Sequence, residues 1–240
     1  MFSNLIEGIK RSISYLALLC FSNLTIPTKV LEIELQSIKG QPEMILNSLI
    51  EDGNILQEQS PNQIAFTFQS FQEYFAAVAI VDIDDNTILT GRATDRMWRE
   101  IIIFAAGLET RTRRNELIMR LLELGDQDLE NRRFLYVLAA ACLSEADTSK
   151  KGIQNKVEQC LALVGRPTNS EEARELASVG ELALPSLVYE PGLTTEEAIL
   201  SIETLALMGT PLAHDTLQSY ANEVRQPIVA AFLNAKVMGS

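Results

Sequence analysis

Apolar positions recur at helical spacing from the start of the chain. Leu5, Ile6, Ile9, Ile13, Leu16, Ala17 and Cys20 predict a first helix over 4–22. Asn23, Thr25 and Pro27 break that run, and Pro27 suits the opening turn of a second helix over 28–38 that Gly40 ends. Pro42 opens a third, PEMILNSLIED, and Gly53 stops it. The pattern then changes. Asn54–Gln57 and Ile64–Phe68 read as two short strands around EQSPNQ, a segment rich in turn formers.

Ser70–Ile80 (SFQEYFAAVAI) returns to helix, with Ser70 and Glu73 spaced as a capping box. This helix is apolar almost all round, which predicts burial between two layers. VDIDDNTILTG follows as a solvated linker. Its Asp82, Asp84, Asp85 and Asn86 lack the EF-hand spacing and the closing Glu that calcium needs. From Asp95 onward helix follows helix. The expected spans are Arg96–Ala106, Arg111–Leu124, Leu129–Leu143, Gly152–Val164, Ser170–Val179, Leu182–Tyr189, Thr195–Met208, Leu212–Tyr220 and Arg225–Ala235. Gly107, Gly125, Gly165-Arg166-Pro167, Gly180, Pro191-Gly192, Gly209 and Glu223 mark the breaks. LASVG (Leu176–Gly180) returns as LALMG (Leu205–Gly209), each followed by a short amphipathic helix. The spacing of 29 residues, 205 less 176, falls near the lower end of the periods α-solenoids use. Such repeats bury their apolar faces only by stacking.

Composition narrows the classes. Hydrophobic residues make up 47% of the 240 residues and aromatics 6%, so a folded chain built on Leu, Ile and Ala is expected, and helices suit it best. Lys and Arg number 20 against 32 Asp and Glu, a formal charge of −12 that repels a phosphate backbone at long range. One basic cluster stands out, Arg111, Arg113, Arg114 and Arg120 with Arg132 and Arg133; it reads as a solvated helix face. Cys20, Cys142 and Cys160 form no CxxC and sit in apolar helical contexts, which points to buried thiols in a reducing, cytoplasmic compartment. Glu7 and the missing small-residue cleavage site argue against a signal peptide, and no apolar run reaches membrane length.

FTFQSFQEYFAA (Phe66–Ala77) followed by TDRMWREIIIFAAGL (Thr94–Leu108) resembles NACHT-type signalling NTPases of the STAND class. There a winged-helix domain ends in F-x-H-x-S-F-Q-E-Y-F-A-A, and a helix of the form W-x-E-x-I-x-F-x-A-G-L follows. Phe66, Ser70, Phe71, Glu73, Tyr74, Phe75, Trp98 and Gly107 carry the match, and ILNSLIEDGNIL looks like the run that leads into the wing. Three helices followed by a hairpin fit the same layout. The tail, Ser170–Ala235, resembles HEAT-like repeats, which also occur in phycobilin lyases.

Two departures bear on chemistry. No G-x-x-x-x-G-K-[ST] is present, so no loop of backbone N–H groups is offered to phosphates. Phe68 stands where the family has a His that in some members touches the ADP phosphate, and a phenyl ring donates no hydrogen bond. Other chemistry is sparse. His214 beside Asp215 is the single histidine, too little for a nucleophile–base–orienter set, and no Cys/His/carboxylate cluster has metal spacing. Glu196 and Glu197 at a helix start are explained by the dipole. Phe66, Phe68, Phe71, Tyr74, Phe75 and Trp98 read as core rather than as a ligand cage. MILNSLIED carries carboxylates and no cation, so base reading by that helix is disfavoured.

The expectation is a mainly α chain. A winged-helix-like domain with a small β-hairpin occupies 1–92, and an α-solenoid of HEAT-like repeats occupies 93–240. The resemblance implies a non-catalytic regulatory or sensor module, the C-terminal part of a NACHT-type NTPase in defence or stress signalling. It would use no cofactor. Its partners would be proteins, an NTPase domain in cis or trans among them, with neither DNA nor membrane. The alternatives are a stand-alone HEAT-like scaffold or adaptor and a bilin lyase-like enzyme.

Overall fold

A computed structural model describes residues 2–19, 21, 26–36, 42–83, 87–143 and 151–238. The chain is mainly helical, with one small three-stranded sheet. It divides into two compact units, residues 1–117 and 118–240. Among the described residues no helix is long and apolar enough to cross a membrane.

In the first unit, α1 (Phe2–Leu19) is followed by β1 (Ile26–Pro27) and α2 (Thr28–Gln36). Pro27 therefore closes a strand and leaves the helix to start at Thr28. Helix α3 (Pro42–Asn47) continues as a π-helical turn over Ser48–Asp52, closed by the Gly53 N–H donating to the Ser48 carbonyl at 2.8 Å. Strands β2 (Leu56–Ser60) and β3 (Gln63–Phe66) pair antiparallel with only Pro61 and Asn62 between them. Asn62 takes φ 69°, a conformation Asn tolerates because its short polar side chain compensates the crowding. EQSPNQ is thus largely strand, where a loop was expected. β1 adds to the free edge of β3, with Ile26 opposite Ile64, and both are buried.

Helix α4 (Gln69–Ile83) lies against α1 and against α6 (Arg99–Leu108). Five successive residues, Ala76–Ile80, are buried, as a helix apolar on every face requires. A short helix α5 (Thr87–Gly91) and a 3-10 turn (Arg96–Trp98) connect α4 to α6, replacing much of the expected linker; Asp84, Asp85 and Asn86 lie outside the described residues, and Asp82 is exposed. Gly107 sits within α6 and breaks nothing. The Arg114 guanidinium, from α7 (Arg111–Gln127), donates to the Ala106 carbonyl at 2.6 Å and to Glu109 at 3.2 Å, closing the α6 C-terminus.

In the second unit, α7 runs through Gly125, so that glycine is no break either. A Cβ there would come within 2.5 Å of the Tyr136 ring. Helix α8 (Arg132–Ala141) buries seven successive residues, Phe134–Ala140, and packs on α9 (Lys151–Val164). Then come α10 (Ser170–Ala177), a 3-10 segment (Gly180–Ser186), α11 (Thr195–Met208), α12 (Pro211–Leu217) with a 3-10 turn (Gln218–Tyr220), and α13 (Gln226–Met238). The starts are chemically specified. Asn169 caps α10 through the Glu172 N–H at 3.0 Å, Thr194 and Glu197 form a reciprocal box on α11, and Thr210 with Pro211 opens α12.

Candidate functional site

The motif residues at 66–75 do not share one environment. Phe66 is buried and its ring sits 6.1 Å from Phe75. Tyr74 bridges Phe75 at 5.6 Å and Phe104 at 5.9 Å, both edge-on. Tyr74, Phe75 and Phe71 are half-buried, so they line the margin of the core. Phe68 corrects the expectation: it is 57% exposed, held edge-on to Phe71 at 5.5 Å. It precedes the first residue of α4, so the helical periodicity that buries its neighbours does not govern it. Trp98 is half-buried in a separate cluster, 5.8 Å from Phe21 and beneath the Arg92 guanidinium. Gly107 is exposed, and nothing in the structure requires a glycine there.

The capping box also needs correction. Helix α4 begins at Gln69, which places Ser70 inside it, exposed. Glu73 is buried, and its carboxylate accepts from Gln69 Nε2 at 2.8 Å. Burial pushes the Glu73 carboxyl above its usual range, opposed by the Gln69 hydrogen bond and reinforced by the nearby Glu100.

The basic cluster disperses into structural duties. Arg113 pairs with the buried Glu109 at 3.1 Å, and Arg132 donates to the Gly125 carbonyl at 3.1 Å. Arg133 is largely withdrawn from water. It pairs with Glu172 at 3.0 Å and donates to the carbonyls of Val164 at 2.7 Å and Arg166 at 3.1 Å. A solvated face therefore describes Arg120 and not Arg133. Two further arginines repeat this device. Arg166 donates to Ser201 Oγ at 3.0 Å, to Tyr220 Oη at 3.2 Å and to the Val188 carbonyl. Arg225 donates to the Leu193 carbonyl at 2.7 Å and holds Glu223, whose carboxyl is pulled down to about 2. Each guanidinium satisfies backbone carbonyls of a distant loop, which fixes one helical layer against the next.

The two sequence repeats are also conformational repeats. Gly180 and Gly209 take φ 58° and 60°, the left-handed turn that ends a helix and redirects the chain into the next. Beside the first of these turns lies a groove of about 730 Å³. Leu161, Ala162, Val179, Leu182 and Pro185 supply its apolar lining, with the carboxylates Glu158 and Glu181 and the hydroxyls of Ser178 and Thr210. No His lines it among the described residues, and Glu158 accepts from Gln154 Nε2 at 2.9 Å. The groove can hold an apolar or amphipathic segment.

His214 is half-buried on α12, and Asp215 beside it is exposed. Cys142 and Cys160 are buried free thiols, and burial raises the Cys160 thiol; Cys20 lies outside the described residues. No group of His, Cys, Asp and Glu among the described residues could hold a metal ion. Comparison of the chain with models of protein families, with curated proteins and with solved structures finds no match.

Proposed function

We propose that the chain is a non-catalytic regulatory or sensor module that binds protein partners, as the C-terminal region of a NACHT-type NTPase. The first unit serves as its winged-helix-like relay and the second as a HEAT-like solenoid. One observation carries the reading. Phe68 occupies the position that the resemblance gives to the nucleotide-facing His, and it stands 57% exposed on the support of Phe71. An exposed phenyl backed by a second ring is a contact group for an apolar protein surface, since a large aromatic contributes most when a partner removes it from water. It cannot sense a phosphate. The NTPase would therefore be held through packing, with no ADP contact from this residue.

The matched left-handed turns at Gly180 and Gly209 and the arginine ties favour the stacked-repeat reading of the second unit. The groove beside Gly180 is the surface on which a sensor partner would act.

Reconstitution tests this. The P-loop NTPase domain encoded in the same reading frame or neighbourhood, purified separately, should bind the chain, and Phe68→Glu should abolish that binding. The chain alone should bind neither ATP nor ADP in a calorimetric titration. Micromolar nucleotide binding by the chain alone, or an NTPase complex indifferent to Phe68→Glu, would overturn the reading.

A further inference from the structure

The groove beside Gly180 carries charge of one sign. Its apolar lining comes from three places in the second unit: Ala141 and Leu143 at the end of α8, Leu161 and Ala162 on α9, and Leu182 with Pro185 on the 3-10 segment. Glu158 of α9 and Glu181 of the 3-10 segment add carboxylates from two of these elements, and both residues are exposed. No Lys, Arg or His is among the described residues that line it.

The backbone adds to the same sign. Helix α8 brings its C-terminal end to the groove, and no basic residue in its last turn offsets the negative end of the helix. The start of α12 also reaches the groove, but that end is closed by its own cap, since Thr210 Oγ1 accepts the Ala213 N–H at 3.2 Å. Gln154 Nε2 donates to one oxygen of Glu158, and a carboxylate accepts from more than one donor. The groove is therefore negative, within a chain whose formal charge is already −12.

We propose that this groove docks a basic amphipathic helix of a partner protein, with apolar side chains on Leu161, Leu182 and Pro185 and Lys or Arg heads at Glu158 and Glu181. The charge selects this occupant. An acidic segment meets like charge at both glutamates. A purely apolar one takes the carboxylates out of water without a partner. Nucleic acid and an anionic lipid surface are repelled as the acidic segment is. A basic helix satisfies both features of the lining, because Lys and Arg lay their apolar stems along the groove while their heads reach the carboxylates. This names the partner class for the protein-binding module proposed above and rests on that reading, but not on the NTPase.

Fluorescence anisotropy with the full chain and a labelled peptide of about 14 residues, Leu and Lys at helical spacing, is the test. Saturable binding is expected. A Leu/Glu peptide and a Ser/Lys peptide of the same spacing should each bind at least about tenfold more weakly. Glu158→Lys with Glu181→Lys should weaken the Leu/Lys peptide at least about tenfold. Glu130→Lys with Glu203→Lys makes the same change in net charge at residues outside the groove, and should weaken it less than about threefold. All four glutamates are exposed, so both double variants should melt as the parent does. No saturable binding, equal binding of the Leu/Glu peptide, or equal weakening by the two double variants would overturn the proposal. A chain that binds the NTPase domain through Phe68 but not the Leu/Lys peptide overturns this inference alone. One that binds the peptide at Glu158 and Glu181 but no NTPase domain supports it and removes the NTPase from the reading.

Discussion

The Tyr136 ring lies directly against the bare Cα of Gly125. A Cβ built on that glycine would meet Cε1 at 2.5 Å and Cδ1 at 2.7 Å. Tyr136 cannot retreat, because it is fully buried and its hydroxyl donates to Asp126 Oδ1 at 2.5 Å; burial and that carboxylate push the phenol up to about 12. Gly125→Ala gains about 1 kcal/mol of helix propensity. It loses about 1–3 kcal/mol to overpacking. A net loss of up to about 2 kcal/mol is expected in denaturant unfolding. Tyr136→Leu should make the same substitution neutral or favourable, and additivity between the two would show that the ring is not the obstacle.

Phe66 and Phe68 sit two residues apart and should respond in opposite ways. Phe66 is 7% exposed, so Phe66→Ala should cost about 3–5 kcal/mol. Phe68 is 57% exposed, and Phe68→Ala should stay within about 0.5 kcal/mol. Tyr74→Ala falls between, at about 2 kcal/mol, because the ring is only half-buried between Phe75 and Phe104. Equal melting temperatures for the Phe66 and Phe68 variants would contradict this assignment.

Glu73 gives the first unit a pH dependence with a definite sign. Its folded pKa is raised, chiefly by burial, so the folded state binds its proton more tightly than the unfolded state does. Stability from this group is therefore fully present below the ordinary carboxylate pKa. It is lost as pH rises through the raised value. Glu73→Gln keeps an amide partner for Gln69 and removes the buried charge. The variant should melt higher than the parent at pH 7–8 and alike near pH 4, a range set by the usual Glu pKa of about 4.3. A stabilisation that persists at pH 4 would assign the effect to packing.

Helix positions were legible in the sequence because Pro, Gly and the capping residues punctuate them. Thr194–Glu197 and Thr210-Pro211 mark helix starts in both sequence and structure. Glycine misleads where it serves packing. Gly125 was indistinguishable from a break until Tyr136, eleven residues on, came to lie across it. The aromatic run was legible as a motif, but spacing alone could not place Phe68 outside the helix. The roles of Arg133, Arg166 and Arg225 had no sequence signature, since their main partners are backbone carbonyls 22 to 33 residues away.

Those ties lead to the last prediction, at Arg166. Its side chain is 12% exposed and reaches Ser201, Tyr220 and the Val188 carbonyl, with Glu190 at the longer distance of 3.8 Å. Tyr220 in turn donates to the Leu187 carbonyl at 2.8 Å, so one guanidinium anchors the loop after the first repeat to the helices of the second. Arg166→Ala should leave three acceptors without that donor, at roughly 1 kcal/mol each, for a loss of about 2–4 kcal/mol. Arg166→Lys should recover less than half. An ammonium on a flexible stem cannot present the fixed fork that meets Ser201, Tyr220 and the carbonyl together. Tyr220→Phe removes the donor to Leu187 and one acceptor from Arg166, so its cost should overlap that of Arg166→Ala. In a double-mutant cycle the pair should therefore be less than additive. Strict additivity would show that the two side chains hold the loop independently.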